Sequence, residues 1–195
     1  MSFDLEELRM AVAAHGRVVR VAVAAIKGSS PREVGAALLI WEGGQSGTIG
    51  GGALEFEAAK AALSLTSDRI RIHPLGPELG QCCGGSVTLL SEVYDAQRVA
   101  QLEGPVIARA PNAGDMPLSV KRALAKARRG NLPPTPSLID GWFIEPVTQP
   151  SRAVWIWGAG PVWRALVHVM APLPDIAITW VPRGETRFHT AILAN

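Results

Sequence analysis

The feature that most restricts the fold lies near the end of the 195-residue sequence. An apolar run, Ala153–Val154–Trp155–Ile156–Trp157, meets a tight turn, Gly158–Ala159–Gly160. A helical segment, Pro161–Met170, follows, and then a second apolar run, Asp175–Val181. Strand, glycine turn, helix and strand in that order make a β-α-β crossover. Its two strands must lie parallel in one sheet, with the helix packed across them.

Such a unit is the opening of a dinucleotide-binding, Rossmann-like fold. Two positions depart from the pattern. Trp163 stands where a third glycine would let helix and strand pack closely, and Val181–Pro182–Arg183 offers no carboxylate for a ribose. The residues up to Asn195 are too few for the remaining strands of such a sheet. The expectation over 151–195 is a partial, degenerate, truncated Rossmann-like β-α-β unit with an exposed sheet edge, and NAD is not its expected cofactor.

The rest of the chain reads as an N-terminal mixed-sheet α/β domain over 1–130, joined by a linker over 131–150. Leu5, Leu8 and Val12 at helical spacing predict a helix capped by Ser2 or Asp4 and stopped by Gly16. The β-branched run from Val18 to Ile26 predicts a buried strand, ending in the polar loop Lys27–Gly28–Ser29–Ser30–Pro31–Arg32. Residues 36–41 and 46–49 read as two more strands of a mixed or antiparallel sheet. Gly50–Gly51–Gly52 then opens an Ala-rich helix over 53–65. A glycine run at a helix start either serves a tight turn or presents backbone N–H groups to an anion. Later, 118–129 predicts a helix with the solvated basic face Lys121, Arg122, Lys126, Arg128 and Arg129. Leu132–Pro133–Pro134–Thr135–Pro136 reads as linker and Trp142–Val147 as a strand.

Both cysteines of the chain sit side by side in Gly76–Pro77–Glu78–Leu79–Gly80–Gln81–Cys82–Cys83–Gly84–Gly85, between predicted strands at 69–73 and 86–93. A vicinal disulfide would strain the peptide between them. A tetrahedral zinc site would want paired Cys-x-x-Cys units, which the chain lacks. Two inert loop thiols are one reading. The other is a thiolate in a glycine-rich loop, as a soft-metal ligand or as a nucleophile, and the spacing fits either role.

Composition narrows the classes of partner. A net charge of +2 does not argue for nucleic acid. No apolar run approaches the ~18 residues that a membrane span needs. Met1–Ser2–Phe3–Asp4–Leu5–Glu6–Glu7 lacks the basic opening of a signal peptide, so the expected location is the cytoplasm.

Together these motifs resemble the XdhC/CoxI family, the xanthine dehydrogenase accessory factors. Gly28–Ser29–Ser30–Pro31–Arg32 with Gly35 is similar to the family's Gly-Ser-x-Pro-Arg segment. Gly50–Gly51–Gly52–Ala53–Leu54–Glu55 is similar to its Gly-Gly-Gly-x-Leu-Glu segment. Gly80–Gln81–Cys82–Cys83–Gly84–Gly85 resembles the cysteine loop of its xanthine dehydrogenase branch. The last unit resembles the family's carboxy-terminal Rossmann domain, whose Gly-Ala-Gly-His-Val-Gly opening is changed here at Pro161 and Trp163.

The resemblance implies an accessory protein, a chaperone rather than a catalyst. It would bind molybdenum cofactor (molybdopterin), favour the sulfurated form and deliver it to a molybdenum hydroxylase such as xanthine dehydrogenase. Cys83 is the implied molybdenum contact ahead of Cys82, because Cys-Gly-Gly is the portion shared across the wider family. Gln81, Gly84, Gly85 and Ser30 would belong to the cofactor site, while Gly50, Gly51 and Gly52 with Arg32 would suit the pterin phosphate. Glu55 would cap or support. A cysteine desulfurase sulfur donor and a homo-oligomer are the further expected partners. Two other classes stand beside this: an NAD(P)-dependent oxidoreductase with Cys83 as nucleophile, and a docking scaffold that binds no cofactor.

Overall fold

The computed structural model describes residues 2–76, 84–111, 114–129, 134–148, 152–171, 173, 176–181 and 191–193. Asp4 begins the first helix, α1 (Leu5–His15): its Oδ1 accepts from the Glu7 N–H at 2.8 Å, and Gly16 ends the helix at φ 75°. Strand β1 (Val18–Lys27) follows, then β2 (Ala37–Trp41) and β3 (Gly44–Gly47). The Ala-rich segment forms α2 (Gly52–Leu63). Strands β4 (Arg69–Pro74) and β5 (Ser86–Tyr94) flank the cysteine loop. Next come α3 (Ala96–Ala100), β6 (Val106–Arg109) and α4 (Leu118–Arg129), then the hairpin of β7 (Ser137–Ile139) and β8 (Trp142–Pro146).

Five of these strands form one sheet in the order β3-β2-β1-β5-β4. The α/β reading holds, but this sheet is antiparallel in every pair rather than mixed. Alternation along β1 decides what covers each face. Val19, Val21 and Val23 point to one side, where Leu38, Ile40, Val87 and Leu89 meet Leu54, Ala58 and Ala62 of α2. On the other side, Ala22, Ala24 and Leu90 pack with Phe143 of β8. Val18, Leu39 and Tyr94 meet Leu5, Leu8 and Val12 of α1 there. A smaller antiparallel sheet, β6-β8-β7, therefore lies against the large one.

Arg20 is the exception in the apolar run of β1. It faces the smaller sheet and is buried, as are Glu92, Arg109 and Glu145. Its guanidinium forks onto Glu145, Nη1 to Oε2 at 2.9 Å and Nη2 to Oε1 at 2.8 Å. Arg109 donates from Nε to Glu92 Oε1 at 2.6 Å and from Nη2 to Glu145. Phe3 lies beneath both cations, its ring centre 4.4 Å from Arg20 Cζ and 4.6 Å from Arg109 Cζ. Two arginines and two glutamates thus join β1, β5, β6 and β8 across the sheet interface.

The first compact unit runs to Val147, and the second covers Thr148–Asn195. The segment expected as a linker over 131–150 therefore contains β7 and β8. The Asp140–Gly141 turn between these strands, with φ of 48° and 79°, makes them a hairpin of the first unit.

The second unit is β9 (Arg152–Trp157), α5 (Pro161–Met170) and β10 (Ile176–Val181), with a short β11 (Ala191–Leu193). β9 and β10 are parallel, as the crossover requires, and β11 adds antiparallel to β10. Ile156 and Ile178 of the sheet pack on Val167 of α5. Trp155 and Trp157 are exposed and stack with ring centres 5.8 Å apart. Pro182 and Arg183 lie outside the described residues. No helix among the described residues is long and apolar enough to cross a membrane.

Candidate functional site

The first two glycine blocks and Gly84–Gly85 of the third meet at one end of the large sheet. β1 ends at Lys27 opposite Ser86, the first residue of β5, and Pro74 of β4 pairs with the same Ser86. Leu75 N–H donates to the Gly85 carbonyl at 2.7 Å, so the stem of the cysteine loop is closed by a backbone bond.

Gly85 lies against the backbone of the first block. A Cβ placed on it would overlap the Ser29 carbonyl oxygen and stand 2.5 Å from Lys27 O and 2.8 Å from Ser29 N. From the other side, a Cβ on Gly28 would stand 3.0 Å from Gly85 Cα. These two glycines let two main chains touch where side chains would hold them apart. Gly50 closes on the same block: a Cβ there would lie 2.5 Å from Pro31 Cγ and 3.5 Å from Arg32 Cγ. Beside Gly51, Gly76 and Gly84, by contrast, a Cβ would meet no atom of the described residues within 4 Å.

Gln81, Cys82 and Cys83 lie outside the described residues. Their neighbours in sequence, Gly84 and Gly85, are at the meeting point just described. Ser30 Oγ donates to the Arg32 carbonyl at 2.9 Å and so shapes its own turn. Arg32 donates to Glu33 from Nε at 3.2 Å, and this bond holds the Glu33 carboxyl below its ordinary pKa.

The glycine run does not offer all its amides to an outside anion. Glu55, one turn into α2, reaches back to it. Its Oε2 accepts from Thr48 Oγ1 at 2.7 Å, Gly51 N at 3.0 Å and Ile49 N at 3.1 Å, and its Oε1 accepts from Gln45 Nε2 at 3.2 Å. Gly50 N donates to Thr48 Oγ1 at 3.1 Å. Burial alone would raise the Glu55 pKa, but bonds from Thr48, Gly51, Ile49 and Gln45 outweigh it and leave the group lowered. A carboxylate belonging to the chain therefore takes the place that the sequence suggested for phosphate on Gly51, and the amide of Gly50 is used as well. Glu55→Ala is expected to cost about 1–3 kcal/mol by leaving these donors unpaired. A shift of the urea midpoint at unchanged m-value measures it.

His73 stands on β4, near the cysteine loop. It pairs with Val87 of β5, two residues before Leu75 at the loop's stem. Burial lowers its pKa, with Glu57 opposing and Arg71 and Arg69 adding to the shift, so the imidazole is neutral at neutral pH. The signal for it was the alternation Arg69–Ile70–Arg71–Ile72–His73, which fixes its register at the glycine end.

A groove of about 410 Å3 is lined by Asp68, Arg69, Ile70, Pro111, Asp140 and Trp142. Arg69 opens β4 opposite Ser91, so the groove lies at the other end of that strand from the glycine blocks. Size does not make it the site, because none of the described residues of the three blocks lines it. Among the described residues no group of three or more His, Cys, Asp or Glu could hold a metal ion.

Residues 11–74 match the XdhC and CoxI family. The match takes in the first two glycine blocks and ends one residue before Leu75, and over this span it bears out the resemblance read from the sequence. No curated protein matches the chain. A crystal structure of a xanthine dehydrogenase from Bacillus halodurans is similar in fold, with a TM-score of 0.62 at 19% sequence identity. The alignment covers 92% of this chain and 62% of that one, so the chain spans less than two thirds of that protein's length.

Proposed function

We propose, from the family match over residues 11–74, that this chain is an accessory protein that holds molybdenum cofactor at the glycine end of the first unit's sheet. It would protect the sulfurated cofactor and pass it to a molybdenum hydroxylase such as xanthine dehydrogenase. The observation that carries the reading is the packing of Gly28–Arg32 against both Gly50 and Gly85. Blocks far apart in sequence are brought to one place through contacts that only glycine permits.

The donor set suits the group in part. A thiolate is a soft ligand for molybdenum, and Cys83 directly precedes Gly84, where a Cβ would meet none of the described residues within 4 Å. Cys82 and Gln81 would contact it from the same loop. The phosphate falls less to Gly50 and Gly51, whose amides are engaged, than to Gly52 at the start of α2 and to Arg32. Arg32 would exchange its bond to Glu33 for the stronger anion. The cofactor, when bound, supplies the redox chemistry of the client enzyme; the residues here bind and shield it.

Equilibrium binding of isolated molybdenum cofactor tests the reading. Cys83→Ala is expected to weaken binding by about 1.5–3 kcal/mol, roughly ten- to hundredfold, and Cys82→Ala by less. Equal affinity of the wild type and both single variants would remove the thiol from the site.

A further inference from the structure

The second unit presents a different chemical question, independent of the cofactor reading for the first. A β-α-β crossover with a glycine turn ordinarily takes the diphosphate of a dinucleotide over that turn, against the start of the helix. Here the space is filled from within. The indole of Trp163 lies on Gly158, where a Cβ would overlap ring atoms Cδ1 and Nε1 and stand 3.0 Å from Cε2. A Cβ on Gly160 would be 3.8 Å from the same Cδ1.

The polar groups of Gly158 are engaged as well. Its N–H donates to the Val181 carbonyl at 3.1 Å, and its carbonyl accepts from Trp180 Nε1 at 2.7 Å. Gly158 adopts φ of 142°, which side chains rarely tolerate. The residues of this turn therefore fit an indole rather than a diphosphate. A side chain at position 163 makes the helix shift or rotate unless the indole finds another way out. The ring lies over the turn, and Val167 still packs beneath α5.

We propose that Trp163 is a built-in plug of the Gly158–Gly160 turn that excludes a dinucleotide's diphosphate, so that the second unit as folded takes neither NAD nor NADP. Gly158 is needed in this chain because the indole occupies the space of its missing side chain. Trp163→Gly empties that space and leaves the turn and the start of α5 in place.

Calorimetric titration of the full chain with NAD and with NADP is the test. The wild type should bind neither measurably. Trp163→Gly, shown to be folded by near-ultraviolet circular dichroism, should bind one of them at least about tenfold more tightly than the wild type. Micromolar binding by the wild type overturns the proposal, and so does a folded Trp163→Gly that binds no better. A second measurement does not depend on that variant folding. Hydroxyl-radical labelling of Trp163 should rise at least about twofold in Gly158→Ala, because the added methyl overlaps the ring. Unchanged labelling overturns the contact itself.

Discussion

Glu145→Ala is expected to destabilise the first unit by about 3–5 kcal/mol, the range for breaking a buried ion pair from one side. The variant strands Arg20 and Arg109 together, because both donate to the one carboxylate that is lost. Neither cation can reach water: Arg20 is 2% exposed and Arg109 7%. Glu92 remains, but it already accepts from Arg109 and lies 3.6 Å from Arg20. Urea unfolding followed by circular dichroism measures the loss, and a cost within 1 kcal/mol would mean that the cluster is solvated in solution.

The same carboxylate sets a dependence on pH. Burial would raise the Glu145 pKa, yet Arg20 and Arg109 more than offset it and hold the group below its ordinary value of 4.5. A lowered pKa contributes stability that is complete above the unfolded value and is lost as pH falls through the folded one. Stability from this group should therefore be level down to about pH 5 and decline below it. Glu145→Gln should be less stable at neutral pH and should lose part of that acid slope.

Gly85→Ala is the second large effect, and it reaches the proposed site. The three atoms nearest the added methyl are all backbone: Ser29 O, Lys27 O at 2.5 Å and Ser29 N at 2.8 Å. Backbone cannot rotate aside as a flexible side chain can, so β5 and the Gly28 loop must separate. A cost of about 1–3 kcal/mol is expected from overpacking. Cofactor binding should fall by about tenfold or more as the blocks move apart. Gly84→Ala is the matched control, since a Cβ there meets none of the described residues within 4 Å. It should stay within about 0.5 kcal/mol of the wild type. If the two variants behave alike, the close approach at Gly85 does not hold the site together.

Much of this architecture could be read from sequence, and the parts that could not have physical reasons. The β-α-β unit was legible because its strands are apolar and its helix begins at Pro161 directly after the glycines. α1 was legible because Asp4 and Gly16 mark its ends. β7 was not: Ser137–Leu138–Ile139 is too short for alternation to register, and it follows a proline-rich stretch. The charged cluster was hidden for another reason. Arg20, Glu92, Arg109 and Glu145 lie on four strands, and only the packing of one sheet on another brings them together. One clue was present, an arginine in the middle of Val18–Val19–Arg20–Val21. The glycine blocks could be recognised as motifs, but their contacts could not, since a close approach of two backbones leaves no pattern of side chains. Glu55 was rightly read as a support. That its support uses the amides assigned to phosphate needed the third dimension.

β5 carries a thermodynamic consequence. This strand is paired on both sides, with the contact glycine just before its first residue and Glu92 and Tyr94 at its far end. Whatever binds only the folded glycine end raises the free energy of unfolding by RT ln(1 + [L]/Kd). The two ends of β5 are then linked reciprocally. Saturating ligand at a hundred times its Kd would return about 2.7 kcal/mol, much of what Glu145→Ala removes. A chain weakened at its charged cluster could thus be rescued by occupancy at the opposite end of the same strand, and its melting temperature would become a titration curve for the ligand.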